Sequence, residues 1–216
     1  ADTVSQAWYD TPNLRSKLNL IEHLLSDEEQ WKKVIIFCRS KQYASDIGKY
    51  LQRLFKEENV LVIHGNKTQQ TRINAMQRFR NEAVRILVTT DLAARGLDIP
   101  DVSHVVNFDT PLIHEDYVHR IGRTGRAFRT GHSITFVTMA DEWHLRKIEG
   151  LIGQSLPKND WPQGIGRPET LYEEKQAMLR EIDQQRRKEN PKFKGAFHEK
   201  RAVKKPTATK RPKRRK

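Results

Sequence analysis

Short apolar runs alternate with segments of helical periodicity along most of the chain. The runs are nearly continuous and rich in β-branched residues, as is typical of strands in a parallel sheet that is buried on both faces. Short links join each run to a segment in which apolar residues recur every three or four positions. This alternation predicts repeated βαβ units within one α/β domain. The predicted strands are 34–37, 60–63, 85–89, 104–108 and 133–138.

The point at which this alternation stops predicts the domain boundaries. We expect an α/β domain over residues 1–166, with a helix near its start ("NLRSKLNLIEHLL") packed on the sheet. The stretch "PKNDWPQGIGRP" is turn-rich. A linker helix is predicted over 167–190, acidic at its start and basic at its end, as the helix dipole favours. Periodicity is lost after Pro191, so residues 191–216 are expected to form a disordered, basic, low-complexity tail.

The positive charge of the chain is confined to its C-terminal end. The chain has 40 Lys/Arg and 27 Asp/Glu residues, a net charge of +13. Residues 184–216 contain 15 of the basic and 2 of the acidic residues, which leaves 25 of each in 1–183. Fifteen cations interleaved with Phe193 and Phe197 predict neutralisation of phosphates and stacking on bases. A solubilising extension would have a similar composition.

The single cysteine excludes an internal disulfide and a cysteine-cluster metal site. Cys38 lies in "VIIFC" and is predicted to be a buried strand residue rather than a nucleophile. One cysteine fits a reducing compartment, so we expect a cytoplasmic location, or a nuclear one if "KRPKRRK" is a nuclear address. No stretch approaches the roughly 20 apolar residues that span a membrane. The sequence does not begin with Met, and we expect it to be part of a longer protein.

Polar residues cluster where the predicted strands end. "CRSK" follows the first strand, "HGNKTQQTR" the second, "TDLAARGLD" the third and "NFD" the fourth. In open α/β sheets, ligands bind outside the carboxyl ends of the strands. The sequence therefore predicts a ligand site at this edge. Within it, Gly96 and Asp98 suggest close approach of a ligand and a hydroxyl acceptor, or simply a turn glycine and a solvated acid.

The segment "HRIGRTGR" (119–126) carries the most specific chemistry. Gly122 and Gly125 would each cost a helix about 1 kcal/mol relative to Ala, which predicts close approach to a ligand or another backbone. The planar fork of arginine suits phosphate oxygens, so phosphate binding is favoured over a solvated basic face. The acidic pair in "ITFVTMADEW" is not a nucleotide motif, because no G-x-x-x-x-G-K-[ST] loop accompanies it. Thr138 and Asp141 instead have the spacing of a helix cap.

Four segments resemble the second RecA-like domain of DEAD-box RNA helicases in their order and spacing. They are "VIIFCRSK", "HGNKTQQTR", "ILVTTDLAARGLDIPDVSHVVNFDTP" and "YVHRIGRTGR", and the similarity covers about residues 30–140. His119 favours the DEAD-box branch, since related helicase families usually have glutamine there. The tail, with "KFKGAFHEK", resembles the extensions of bacterial members. The resemblance implies a RecA-like open, mostly parallel sheet with helices on both faces.

The resemblance also implies roles for individual residues. Arg123 and Arg126 would be the catalytic arginine fingers that reach the ATP γ-phosphate. Asp98, beside Gly96, would contact the ribose, and His119 and Arg120 would couple the nucleotide cleft to the acidic motif of the partner domain. Asn66 departs from the acid that often follows "HG" in the family. The implied contacts to RNA sugar and phosphate are Arg39, Ser40, Gly65, Gln69, Arg72 and Thr90.

The function implied is that of the second motor domain of an ATP-dependent RNA helicase. The family's first domain carries the phosphate loop, the D-E-A-D acids that position Mg²⁺, and the adenine-reading segment, and none of these is in this sequence. We therefore expect the isolated chain to be inactive. The expected partners are RNA, bound through its backbone irrespective of sequence, and the N-terminal RecA-like domain in cis, with no membrane. The alternative is a non-catalytic RNA-binding module on a RecA-like scaffold.

Overall fold

The computed structural model describes residues 4–66, 68–97, 99, 101–125 and 130–195. The strands are β1 (Val4–Asp10), β2 (Val34–Phe37), β3 (Val60–Ile63), β4 (Ile86–Thr89), β5 (His104–Asn107) and β6 (Gly131–Val137). The helices are α1 (Leu14–Ser26), α2 (Lys41–Phe55), α3 (Gln69–Arg80), α4 (Asp91–Ala94), α5 (His114–Ile121), α6 (Glu142–Ile152) and α7 (Tyr172–Glu189). The strands form one sheet in the order β1-β6-β5-β2-β4-β3, with all pairings parallel. The predicted open α/β sheet is confirmed.

Helices cover both faces of the sheet, and every residue of the central strands β2, β4 and β5 is therefore buried. Ile36 of β2 packs with residues of α1 and α2 on one face. Its neighbour Ile35 points to the other face and packs with α3 and α4. In β6, Phe136 belongs to the first cluster, whereas Val137 packs with α5 and α6 on the opposite face. Burial on both faces is the reason that continuous apolar runs, rather than alternation, marked these strands.

One strand, β1, was not predicted. Its sequence VSQAWYD has only three consecutive apolar residues, at 7–9, and only Gln6 and Ala7 are buried. β1 lies at the edge of the sheet and pairs with β6 alone, from Val4 opposite Gly131 to Asp10 opposite Val137. The mixed composition of β1 explains why the pattern did not indicate it, since β3 at the opposite edge is apolar throughout and was predicted. The five predicted strands are confirmed within two residues at each end, as is the helix near the start.

The segment 156–170, which we call the strap, covers the edge strand β1. The Trp8 amide donates to the strap at 3.0 Å, and the Trp8 carbonyl accepts from it at 2.8 Å. Asn13 Nδ2 donates to the Pro168 carbonyl at 2.7 Å, and Thr170 Oγ1 donates to the Pro12 carbonyl at 2.9 Å. The strap thus satisfies part of an otherwise open sheet edge. Its hydrogen bonds continue past residue 166, and the predicted boundary there stays a prediction.

The chain divides into two compact units, residues 1–170 and 171–216. In the second unit, α7 has acidic residues in its first turn and three basic residues in its last turn, while the predicted linker bounds of 167–190 stay a prediction. The Arg186 guanidinium lies over the Phe193 ring, 5.8 Å from its centroid. No helix in the described part of the chain is long and apolar enough to cross a membrane.

Candidate functional site

The loops at the carboxyl edge of the sheet are fixed by the helices that follow them. Ser40, Thr68 and Thr90 are the N-caps of α2, α3 and α4, and each side chain accepts the backbone N–H three residues on. Such caps satisfy amide groups that would otherwise lack a partner in the first turn. Three of the polar segments noted in the sequence therefore serve local structure as well as any ligand. Cys38, at the end of β2, is fully buried, and burial raises the pKa of its thiol, as expected for a structural cysteine.

A cavity of about 430 Å³ opens between these loops, and we call it the first cavity. It brings together four of the six predicted RNA contacts, which are Arg39, Ser40, Gly65 and Thr90. Lys41 and Arg95 add positive charge to this wall. The cavity also has an apolar part of its wall, which the sequence analysis did not predict. That part contains Leu92, Pro111, Leu112 and Ile113.

The other two predicted RNA contacts, Gln69 and Arg72, lie outside this cavity. Arg72 Nη1 donates to Gln69 Oε1 at 3.2 Å within α3. Its Nη2 donates to the Ala93 carbonyl at 2.8 Å, which ties α3 to α4. Arg72 therefore supports the loop that carries Thr90, and its contact with RNA stays a prediction.

A second cavity of about 260 Å³ adjoins the first. It brings together Gly96, His119, Arg120 and Arg123, all predicted to act at the nucleotide cleft. Gly96 has a φ of +72°, and a Cβ built there would meet no atom within 4 Å. Its backbone is therefore open to a ligand. The other predicted residues of this set, Asp98 and Arg126, lie outside the described residues.

Arg120 is buried and fully engaged inside the domain. Its guanidinium donates to both carboxylate oxygens of Asp91, at 2.6 and 2.7 Å. It also donates to Asn107 Oδ1 at 3.0 Å and to the Asp109 carbonyl at 2.8 Å, and it lies over the Phe37 ring at 5.0 Å. A buried arginine needs this many partners to offset the loss of water. Arg120 thus joins four segments at the carboxyl edge, a role that its sequence position did not indicate.

Arg95 and Asp116 were not predicted as site residues, yet both line the two cavities. Arg95 Nη2 donates to Asp116 Oδ1 at 2.6 Å, and His119 Nδ1 lies 3.6 Å from the same oxygen. Asp116 is buried whereas Arg95 is exposed. The buried carboxylate therefore holds an exposed guanidinium in the wall that the two cavities share. Arg95 belongs to the segment "TDLAARGLD", whereas Asp116 directly precedes "YVHRIGRTGR", so no motif indicated that the two side chains would pair.

The glycines of "HRIGRTGR" follow a helix rather than lying within it, because α5 ends at Ile121 and Gly122 is its C-cap. Gly125 has a φ of +71°, the left-handed conformation that glycine adopts without strain. The start of β6 also approaches closely, since a Cβ on Gly131 would overlap Thr124 Oγ1 and the Gly125 nitrogen. The expected close approach therefore includes another backbone.

A buried ion pair supports the loop after β2. Lys17 Nζ donates to Asp109 Oδ1 at 3.0 Å and to the Phe108 carbonyl at 2.8 Å. Burial disfavours the charged ammonium, but the charges of Asp109 and Asp141 outweigh it and raise the pKa of Lys17. Burial alone would raise the pKa of Asp109, but the charge of Lys17 and the Arg39 backbone N–H outweigh it and lower this pKa. Both groups therefore stay charged near neutral pH.

The part of the chain that matches a known protein family contains all the residues that line the two cavities. Residues 16–128 match the family model described as the helicase conserved C-terminal domain. The chain is 43% identical over 154 residues to a protein named ATP-dependent RNA helicase DBP8 of Phaeosphaeria nodorum, covering 71% of this chain and 30% of that protein. Other curated relatives come from fungi, a plant and a nematode, so they do not support the bacterial branch that the tail suggested.

Solved structures share the fold. The DEAD-box protein SrmB of E. coli, crystallised with the regulator RraA, is 35% identical with a TM-score of 0.70, over 78% of this chain and 96% of that chain. Dbp5 of S. cerevisiae, bound to RNA and ADP BeF3, is 32% identical with a TM-score of 0.66, over 74% of this chain and 42% of that chain. The RecA-like fold predicted by resemblance is confirmed. The chain spans about a third or less of the length of the first curated relatives that it matches.

Proposed function

Because the chain belongs to the helicase conserved C-terminal domain family of DEAD-box proteins, we propose that it is the second motor domain of an ATP-dependent RNA helicase. The observation that carries the proposal is that the two cavities adjoin and share walls. Asp91, Arg95, Asp116 and Arg120 line both. A ligand in one cavity therefore touches side chains that also form the other, as coupling between RNA binding and ATP hydrolysis requires.

The first cavity would hold the RNA backbone. Arg39, Lys41 and Arg95 supply positive charge, while Ser40 and Thr90 supply hydroxyl groups. Such groups recognise sugar and phosphate, and they do not distinguish bases. We therefore propose backbone contacts that are independent of sequence. Dbp5, whose solved structure contains RNA, has the same fold and supports this assignment.

The second cavity would form one side of the ATP site. The open backbone at Gly96 and the side chain of Arg123 fit a nucleotide, and we propose that Asp98 accepts a hydrogen bond from its ribose. Arg123 and Arg126 would stabilise negative charge on the transferred phosphoryl group when the two domains close. Arg120 would hold these loops from within, and His119 would face the partner domain.

The described residues offer no magnesium site of their own. Among the described residues, no group of three or more His, Cys, Asp or Glu side chains could hold a metal ion. We propose that Mg²⁺, which neutralises phosphate charge when bound, is held mainly by the N-terminal RecA-like domain. That domain, joined in cis, would be the second partner besides RNA.

The C-terminal region would increase RNA affinity. We propose that residues 1–166 form the motor domain, that 167–190 form a linker helix, and that the basic tail 191–216 binds phosphates without sequence preference. A single cysteine fits a reducing compartment. We therefore propose a cytoplasmic location, or a nuclear one if the terminal basic cluster is an import signal.

A non-catalytic RNA-binding module is the alternative, because the basic and hydroxyl side chains of the first cavity would bind RNA without any hydrolysis. Two measurements separate the proposals. The purified 216-residue chain should bind RNA and should not hydrolyse ATP, with or without RNA. In the complete two-domain protein, Arg126→Ala should lower single-turnover ATP hydrolysis by roughly 10³-fold, as when an arginine finger is lost.

Matched variants complete the test. Arg126→Lys should restore little, because an ammonium keeps the charge but not the fork. Arg146→Ala, at an exposed position on α6, should hydrolyse ATP normally. Thermal melts should show all three variants folded. Normal hydrolysis by Arg126→Ala, or no hydrolysis by the complete wild-type protein, would refute the catalytic proposal and leave the binding module.

A further inference from the structure

The side chain of Arg39 is held from a distant part of the chain. Its Nη2 donates to Asp141 Oδ1 at 2.9 Å, across 102 residues of sequence. The Arg39 side chain is 35% exposed, whereas that of Asp141 is 1% exposed. Arg39 also lines the first cavity, and Asp141 does not. Arg39 is thus accessible from the first cavity, whereas Asp141 is buried in the domain.

Asp141 is itself fixed. Its second oxygen, Oδ2, accepts the Thr138 hydroxyl at 2.7 Å and the Thr138 backbone N–H at 3.1 Å. Asp141 is also the N-cap of α6, although its side chain makes no capping bond to that helix. The predicted helix cap is therefore present only in part. The carboxylate turns back toward Thr138, which aims Oδ1 at Arg39.

The backbone of Arg39 is held by another carboxylate. Its N–H donates to Asp109 Oδ2 at 2.9 Å, while Lys17 occupies Asp109 Oδ1. Arg39 is thus fixed at its backbone by Asp109 and at its guanidinium by Asp141. An exposed arginine otherwise samples many rotamers and loses that freedom when it binds.

We propose that Asp141 is a positioning residue that holds the Arg39 guanidinium ready for an RNA phosphate. This inference rests on the proposed RNA site and names the residue behind it. An arginine fork can serve a carboxylate and a phosphate at once, because it carries five N–H donors in one plane. The opposing idea is that Asp141 competes with RNA for Arg39, in which case its removal would strengthen binding.

The test is an NMR titration of the ¹⁵N-labelled 216-residue chain with a short single-stranded oligouridylate. Amide signals of Ser40, Gly65 and Thr90 report binding in the first cavity separately from the tail. Arg39→Ala should weaken this affinity about tenfold, the size of one charge-assisted hydrogen bond. Asp141→Asn should weaken it roughly threefold to tenfold.

A double-mutant cycle excludes a merely structural effect. In the Arg39→Ala background, Asp141→Asn should change the affinity by less than about twofold, since the two side chains act as one unit. Glu142→Gln, which removes a negative charge from the neighbouring exposed residue, should leave the affinity unchanged or raise it slightly. Tighter binding by Asp141→Asn, or additive losses in the cycle, would overturn the proposal.

A measurement on the wild-type chain covers the case in which Asp141→Asn does not fold. The guanidinium signal of Arg39 should remain protected from exchange when RNA is added, because the ion pair persists. Loss of that protection on binding would mean that RNA displaces Asp141, and the proposal would fall. If RNA moves none of the three amide signals, the RNA site itself is wrong, which is a distinct result.

Discussion

The Arg120 guanidinium meets the Asp91 carboxylate through two short hydrogen bonds, 2.6 Å from Nε to Oδ1 and 2.7 Å from Nη2 to Oδ2. Asp91 is the first residue of α4, and Arg120 belongs to the last turn of α5. The pair therefore ties together the two helices whose ends line both cavities. Arg120, which the resemblance assigned to the nucleotide cleft, thus stabilises the fold by joining α5 to α4.

We expect Arg120→Gln to destabilise the chain by about 3–5 kcal/mol, because Arg120 is buried and its loss removes the donors from the partly exposed Asp91 carboxylate and from two buried acceptors. Arg120→Lys should also be destabilising, since an ammonium cannot make the paired bonds. Urea unfolding measures both. Arg146→Gln, on the surface of α6, should change the free energy of unfolding by less than about 1 kcal/mol. An Arg120→Gln variant as stable as the wild type would contradict this role.

Gly131→Ala should displace the turn that carries Arg123. The added Cβ would overlap Thr124 Oγ1 and the Gly125 nitrogen, so the backbone must move. We expect a loss of stability of about 1–3 kcal/mol and, in the complete two-domain protein, at least about tenfold slower ATP hydrolysis. Gly150→Ala is the control: its Cβ would meet nothing within 4 Å, and alanine favours α6. Unchanged hydrolysis by a folded Gly131→Ala variant would show that the turn tolerates the shift.

Removal of residues 191–216 should weaken RNA binding by the chain and flatten its dependence on salt. The deletion removes twelve of the Lys/Arg residues. Each phosphate that a tail cation neutralises adds to the salt slope, because counterions are released. Fluorescence anisotropy at several salt concentrations measures the slope. A scrambled tail of the same composition should preserve it, and an unchanged slope after deletion would assign the binding to the body of the domain.

His104 should make stability depend on pH on the acidic side. It stacks between Trp31 and His132, with ring centroids 4.0 and 4.9 Å away. Burial, together with the charge of His132, lowers the pKa of His104 to about 4. The folded state therefore favours the neutral ring, so its contribution is present above about pH 6.5 and is lost as the pH falls toward 4.

The loss over that range should not exceed about 3 kcal/mol. His104→Phe keeps a stacked ring without a titrating group and should flatten the urea stability curve between pH 4 and 6.5. His23→Gln, at an exposed position on α1, is the matched control for replacing a histidine. A curve of the same shape in His104→Phe would assign the dependence to other groups.

Asn13→Ala should loosen the strap. Asn13 Oδ1 caps α1 by accepting the Ser16 N–H at 2.8 Å, and Nδ2 donates to the Pro168 carbonyl at 2.7 Å. Loss of both should cost about 1–3 kcal/mol and speed proteolysis within 156–170. Asn19→Ala, which removes a single exposed bond to Gly166, should cost less than about 1 kcal/mol. Equal protease resistance in Asn13→Ala would contradict the anchoring role.

The position of the site was predictable from the sequence, whereas its internal contacts were not. Polar segments after Phe37, Ile63 and Thr89 indicated one edge of the sheet, because parallel strands end together there. Four predicted RNA contacts share the first cavity for that reason. Gln69 and Arg72 belong to the same segments but lie outside the cavity. Spacing determines which side chains share a helix face, but only the packing of the helix decides which face is turned toward the cavity.

The sequence by itself determined the strands β2 to β6, the first helix and the carboxyl-edge site, since local apolar runs and caps need no distant partner. Only the tertiary structure decided the rest. The strand β1 owes its place to β6, more than 120 residues away, and carries little local signal. Likewise, Arg39 finds Asp141 across 102 residues, and Arg120 finds Asp91 across 29. Such pairs form only when the sheet has brought their loops together, so no local pattern of charge or periodicity could identify them.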